Sequence, residues 1–306
     1  PAAPMMGKDI TKDPITIAYI PLSTSGPTTA SYMAGMETAL MLYPNAELRV
    51  FDPQFDVAKQ ISMFNDCITQ KVDAIMLQPL DPNALNSAIA TAEGEGIPVI
   101  TIDQGCEGLH TLWIHAGDYK GGWISAESLC EKLDYKGDVV VLDCPAEQTA
   151  SILPGSGFQD FIQENAPEIN IIDYQNVPNW STDVANQITR DLLTRHDNID
   201  AIWCTGDDMA LGAVQAVHAL GREDILVWSG GSGLPAAFEA VKNGSMGETL
   251  FYNGNYQMQT AIYMTLNLIE TGITAVNSGY TKTPELQMAT IRITKDNVEN
   301  YLALVQ

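Results

Sequence analysis

Short apolar runs recur along this chain, each followed by a polar turn and then by apolar positions at helical spacing. The stretch after Asp200 shows the pattern most plainly: Ala201–Cys204 is an apolar run and Gly206, Asp207 and Asp208 supply a turn and helix cap. Ala210, Ala213, Val214, Val217 and Leu220 then mark one helical face until Gly221 ends it. The same reading predicts strands at 15–20, 48–52, 74–77, 98–102, 138–142, 170–174, 201–204, 226–229 and 249–252, with a further one near 288–293. Helices are predicted at about 31–42, 57–70, 83–95, 158–165, 182–196, 207–220, 234–243 and 256–270, and from a Gly-rich turn at 117–122 to Leu133.

Continuous apolar strands separated by helices indicate parallel sheets covered on both faces. About ten strands, with a break near residue 117, suit two doubly wound α/β domains better than one very wide sheet. A single (β/α)₈ barrel is the competing architecture. A Gly/Thr/Ser-rich stretch at 272–283 between a helix and a last strand argues against it, because it looks like a chain crossing back between two lobes.

At 306 residues the chain is long enough for two cores, and 45% apolar residues is ordinary for a globular protein. No apolar stretch approaches the ~20 residues that cross a membrane, and the Pro1-Ala2-Ala3-Pro4 start is read as a trimmed end with no signal peptide. A net charge of −23 makes nucleic acid or an anionic membrane surface an unfavourable partner. Cys67, Cys106, Cys130, Cys144 and Cys204 contain no C-x-x-C pair; buried free thiols are expected, with one disulfide left open.

Enzyme signatures are missing. His110, His115, His196 and His218 have no metal-ligand spacing, and there is no nucleophile elbow or Walker loop. Gly231-Ser232-Gly233 begins a loose G-x-G-x-x-A, but no acidic strand end follows at the required distance. No metal or cofactor is expected. What remains is a set of loops at the carboxyl ends of predicted strands, where open α/β sheets bind small molecules. They offer Ser25, Thr28, Thr29, Gln78, Asp103, Gln104, Gln148, Trp180, Thr205, Asp207, Ser229, Tyr252 and Asn253 as candidate ligand-binding residues. Hydroxyls, amides and aromatic faces suit a neutral polyhydroxylated ligand, whereas an anion calls for Arg or Lys, which these loops nearly lack.

From Ile15 to Ile293 the chain resembles the periplasmic solute-binding proteins of ABC importers, in the ribose-binding, LacI-like type I class. The residues that carry the resemblance are Ile17–Pro21 with Pro27 and Gly35, Val72–Pro79, Gly96–Asp103, Gly121-Gly122, Gly155–Phe158 and Asp207–Ala213. The resemblance implies two α/β lobes joined by a three-crossover hinge: residues 1–116 with 254–283, and 117–253 with 284–306, the ligand cleft lying between them. It also carries departures. Thr28 and Thr29 stand where stacking aromatics are expected, Gln104 and Pro154 replace arginines, Gly206 replaces an asparagine and Gly230 an aspartate. Trp180 and Tyr252 fall where an aromatic and a glutamine would meet sugar, and Leu22 replaces the lysine of the autoinducer-2 receptors.

The function implied is an extracytoplasmic substrate-binding protein, monomeric and not an enzyme, that captures a small neutral solute by hinge closure. A sugar, sugar alcohol or related polyol is the expected solute. ABC permease subunits are the expected partners, in the periplasm or on the cell surface through a lipid anchor. The alternatives are a receptor for a nucleoside or autoinducer-2-like furanone, a chemosensory subunit partnered by a chemoreceptor, and the effector domain of a LacI-type repressor. The last needs a helix-turn-helix and a basic surface that the sequence lacks.

Overall fold

The computed structural model describes residues 7–116, 118–143 and 149–305. The first eight elements are β1 (Ile15–Ile20), α1 (Pro27–Leu40), β2 (Ala46–Val50), α2 (Val57–Thr69), β3 (Ala74–Leu77), α3 (Asn86–Gly94), β4 (Val99–Ile102) and β5 (Leu112–Ala116). Next come α4 (Asp118–Lys132), β6 (Lys136–Asp143), α5 (Thr149–Asn165), β7 (Glu168–Asn176), α6 (Thr182–Arg195), β8 (Ala201–Cys204) and α7 (Asp207–Ala219). The last are β9 (Leu226–Ser229), α8 (Pro235–Asn243), β10 (Glu248–Phe251), α9 (Gly254–Thr271), α10 (Ala275–Ser278), β11 (Glu285–Met288) and β12 (Ile291–Thr294).

Among the described residues the strands form two six-stranded sheets, ordered β11-β5-β4-β3-β1-β2 and β12-β10-β9-β8-β6-β7. Matching β6 to β1 makes the two orders the same, so one topology is used twice. β1 to β4 pair in parallel, as do β6 to β9, while β12 runs antiparallel to β10. These are open sheets, which excludes the barrel alternative. One compact unit is built chiefly from Pro1–His115 and Gly254–Met288, the other chiefly from Ala116–Ala146, Ala150–Asn253 and Ala289–Gln306.

Each strand serves two cores because successive side chains point to opposite faces. Ile15, Ile17 and Tyr19 pack with Met36 of α1 and Met258 of α9, whereas Ala18 and Ile20 pack with Phe64 of α2 and Ile89 of α3. In the second unit Ile202 and Cys204 face Met209 and Phe238, and Ala201 and Trp203 face Phe158 and Leu129. Burial on both faces is why these strands read as unbroken apolar runs.

Three local readings are corrected. The Gly-rich turn at 117–122 is helical from Asp118, and β5, with Trp113 and His115 breaking its apolar run, was not anticipated. The single strand near 288–293 is two strands in different sheets, which puts 285–288 in the first sheet rather than with the second lobe. Gly121 and Gly122 provide space instead of a bend: a Cβ on Gly122 would lie 1.9 Å from the Pro154 carbonyl oxygen of α5. Cys67, Cys106, Cys130 and Cys204 are free thiols, and Cys144 lies outside the described residues.

Candidate ligand site

In the first unit α1, α9 and the residue after β3 each direct a side chain to Asp103. This residue sits directly after β4 with φ +56°, a left-handed conformation that few side chains other than Asn and Asp accept. Its backbone N–H donates to the Ile114 carbonyl at 2.9 Å, and its own carbonyl accepts from the Trp113 indole Nε1 at 2.9 Å. Trp113 in turn stacks on His115, ring centroids 4.0 Å apart, and lies close against Gly105, where a Cβ would come within 3.2 Å of the indole. The strained turn is thus held from beneath by β5.

Three side chains converge on the Asp103 carboxylate. Oδ2 accepts from the Tyr32 hydroxyl of α1 at 2.8 Å and from Gln78 Nε2 at 3.0 Å; Oδ1 accepts from Gln257 Nε2 of α9 at 2.8 Å. Gln78 is oriented by the buried Tyr19 hydroxyl, which donates to its Oε1 at 2.8 Å. Burial pushes the Asp103 carboxyl above the ordinary carboxylate range, while the donations from Gln257, Tyr32 and Gln78 pull the other way. Beside it, Gln104 is only 4% exposed and its Oε1 has no partner among the described residues. Gln257 Oε1 is likewise buried and unpartnered.

The Ser/Thr loop before α1 is folded on itself. Ser23 and Ser25 share a 2.8 Å hydroxyl contact, Thr29 Oγ1 donates to the Ser23 carbonyl at 3.1 Å, and Thr24 Oγ1 donates to Asp52 at 2.7 Å. Ser25 is exposed, and Thr28 and Thr29 occupy the first turn of α1 instead of the loop.

In the second unit Asp207 is fully buried at the start of α7. Its Oδ1 accepts from the Ser229 and Thr249 hydroxyls, both at 2.6 Å, and its Oδ2 from the backbone N–H groups of Gly233 at 2.7 Å and Leu234 at 2.8 Å. A carboxylate offers about four acceptor positions, so Asp207 is saturated within the protein. It does not cap its own helix; it fixes the loop that leads into α8. Ser229 is committed too, since it also accepts from the Gly231 N–H at 3.2 Å.

Thr205 donates to Asp143 Oδ1, and the Tyr174 hydroxyl donates to Asp143 Oδ2 at 2.5 Å, which gathers a second polar cluster at the ends of β6 and β8. Trp180 follows Asn179 in a tight turn, both at positive φ, and its ring packs over Gly206. A Cβ on Gly206 would meet that ring at 3.1 Å, so an asparagine there would have to displace Trp180 by a few tenths of an ångström. Gly230 is similar: a Cβ there would lie 2.7 Å from the Thr205 carbonyl oxygen. Tyr252 and Asn253 follow β10 and are half-buried; Gln148 lies outside the described residues.

The structure therefore joins Gln78 to Asp103, with Gln104 next in the chain, in one unit, and joins Ser229 to Asp207 in the other, with Thr205 in the separate Asp143 cluster. Sequence reasoning missed Tyr32, Gln257, Trp113, Asp143 and Tyr174. Tyr32 had the spacing of an apolar helix residue, and Gln257 lies 154 positions from the carboxylate it binds, so neither carried a local signal. A groove of about 860 Å³ in the second unit, lined by Leu226, Glu248 and Arg292, lies at the amino ends of β9 and β10, away from these loops. Among the described residues no three His, Cys, Asp or Glu side chains are placed to hold a metal ion, and no helix is long and apolar enough to cross a membrane.

Residues 17–273 match the periplasmic binding protein domain family. The ribose import binding protein of Bacillus subtilis (strain 168) is 28% identical over 66% of this chain and 64% of its own length, so the chain spans just under two thirds of that relative. The xylitol-binding protein of Mycolicibacterium smegmatis is 27% identical over 83% of this chain and 70% of its own. Among solved structures, an ABC transporter solute-binding protein of Actinobacillus succinogenes 130z with bound D-allose superposes with a TM-score of 0.83 at 26% identity, covering 94% of this chain and all of that one (100%).

Proposed function

Because the chain belongs to the periplasmic binding protein family, we propose that it is the extracytoplasmic solute-binding component of an ABC importer for a small polyhydroxylated solute, a sugar or related polyol. The observation that carries this reading is the Asp103 cluster. A partly buried carboxylate is held at a strand end by Tyr32, Gln78 and Gln257, with the acceptor atoms of Gln104 and Gln257 left over. Such fixed, directional groups recognise hydroxyls; none is a nucleophile paired with a base, so binding without turnover is the chemistry they serve. The relatives that bind ribose or xylitol by name support the solute class.

In this mechanism Asp103 orients a hydroxyl or amine donor, and Gln104 accepts from the solute. Thr205 and Trp180, at strand-end loops of the second unit, offer a hydroxyl and a flat aromatic face of the kind such a solute uses. Closure is driven by the solute's greater affinity for the closed form, and the closed surface is what the permease subunits read.

A thermal-shift screen of sugars, polyols, nucleosides and amino acids tests the reading. A solute at a hundred times its Kd stabilises the folded protein by about 2.7 kcal/mol, or roughly 4 °C for a chain of 306 residues. Asp103→Asn, which accepts the left-handed backbone, is expected to remove most of that shift while leaving the unliganded melting temperature within a few degrees. An undiminished shift in the variant, or stabilisation by nucleosides or amino acids alone, overturns the proposal.

A further inference from the structure

We infer that the solute presents a protonated amine beside its hydroxyls, with Asp103 as its counter-ion; this rests on the polyol reading above and narrows it. All three partners of the Asp103 carboxylate, Tyr32, Gln78 and Gln257, are neutral. No lysine or arginine bonds to it, and the residues outside the described set contain neither type. The nearby ionisable ring, His115, pulls the Asp103 carboxyl down electrostatically, and its Nε2 also lies 3.8 Å from Glu285 Oε2. Asp103 is therefore a partly buried carboxylate with no lysine or arginine against it, and the imidazole that acts on it electrostatically is shared with Glu285, a situation that proteins otherwise resolve by closer pairing.

The free acceptors have the complementary arrangement. Oδ2 of Asp103 already takes two donors and Oδ1 takes one, leaving an acceptor position on Oδ1. Gln257 is 0% exposed and Gln104 4%; the Oε1 of each is buried and unpartnered. The Gln257 amide already lies on Asp103 through its Nε2, and Gln104 is the next residue in the chain. One anionic and two neutral acceptors without donors suit an ammonium group, which has three N–H donors and no acceptor. A hydroxyl brings one donor and leaves the charge uncompensated. The chain's net charge of −23 further favours the approach of a cation.

Isothermal titration of the full chain with matched solutes provides the test: D-glucose against D-glucosamine and N-acetyl-D-glucosamine, and D-galactose against D-galactosamine and its N-acetyl form. The amine is expected to bind at least about tenfold more tightly than either uncharged counterpart, the difference between a charge-assisted and a neutral hydrogen bond. Asp103→Asn should bring that ratio close to one, and the nearly isosteric Gln104→Glu should raise it, with circular dichroism melts confirming that both variants fold. If the neutral sugar binds as well as the amine, or better, the inference fails and the polyol reading stands. If none of the sugars binds in either form while a nucleoside, amino acid or simple diamine does, both fail.

Discussion

Asp103 and Asp207 both end up buried or partly buried at strand ends, yet their accessible chemistry differs because of who donates to them. Asp207 spends every acceptor position on Ser229, Thr249, Gly233 and Leu234, and burial raises its carboxyl above the ordinary range in spite of them. Asp207→Ala strands four donors in the interior and is expected to cost about 3–5 kcal/mol in urea unfolding, a loss too large for a residue that only touches solute. Asp103→Asn keeps the backbone conformation and one acceptor oxygen but sets its amide against one of the three donors, so a stability loss of about 1 kcal/mol is expected beside the larger loss of affinity. Both aspartates were legible as strand-end residues. Their roles were not, since the donors to Asp207 lie 22 to 42 positions downstream and those to Asp103 up to 154 away. A polar residue's partners are set by tertiary packing, and no periodicity records them.

The alternation of strands and helices was readable because both faces of each strand are covered and the helices carry one apolar face. Where the reading failed, a polar or small residue served packing. Trp113 and His115 interrupt β5 because they support the Asp103 turn, and Gly122 of α4 lets α5 approach. Gly35 of α1 shows the same device against α9: a Cβ there would lie 2.3 Å from the Asn255 carbonyl oxygen. Gly35→Ala is expected to force the two helices apart, lowering stability by about 1–3 kcal/mol in chemical denaturation. Since α1 carries Tyr32 and α9 carries Gln257, the same variant should also weaken solute binding, measured by titration calorimetry. A loss of stability with unchanged affinity would separate the helix contact from the site.

At the scale of the whole chain, acidity acts through buried carboxyls and total charge together. Glu93, Asp103, Asp207 and Glu248 are all pushed above the ordinary carboxylate range, with burial the largest cause for each. A raised native pKa means the folded state binds more protons than the unfolded one, so stability falls as pH climbs through that window. The urea midpoint is therefore expected to be higher at about pH 5.5 than at about pH 8, helped by partial relief of the −23 charge. Below about pH 4 the trend should reverse, because Asp52, Asp173 and Glu285 are held below the ordinary range by their hydrogen bonds and ion pairs and lose them on protonation. The two edge strands β11 and β12 lie two residues apart near the end of the chain, one in each sheet, and α9 closes the first core only after the second unit has been made. Neither sheet is therefore whole until the residues of β11 and β12 have been synthesised. Nascent chains should stay protease-sensitive until residue 294 has cleared the exit tunnel, as limited proteolysis of stalled chains would show.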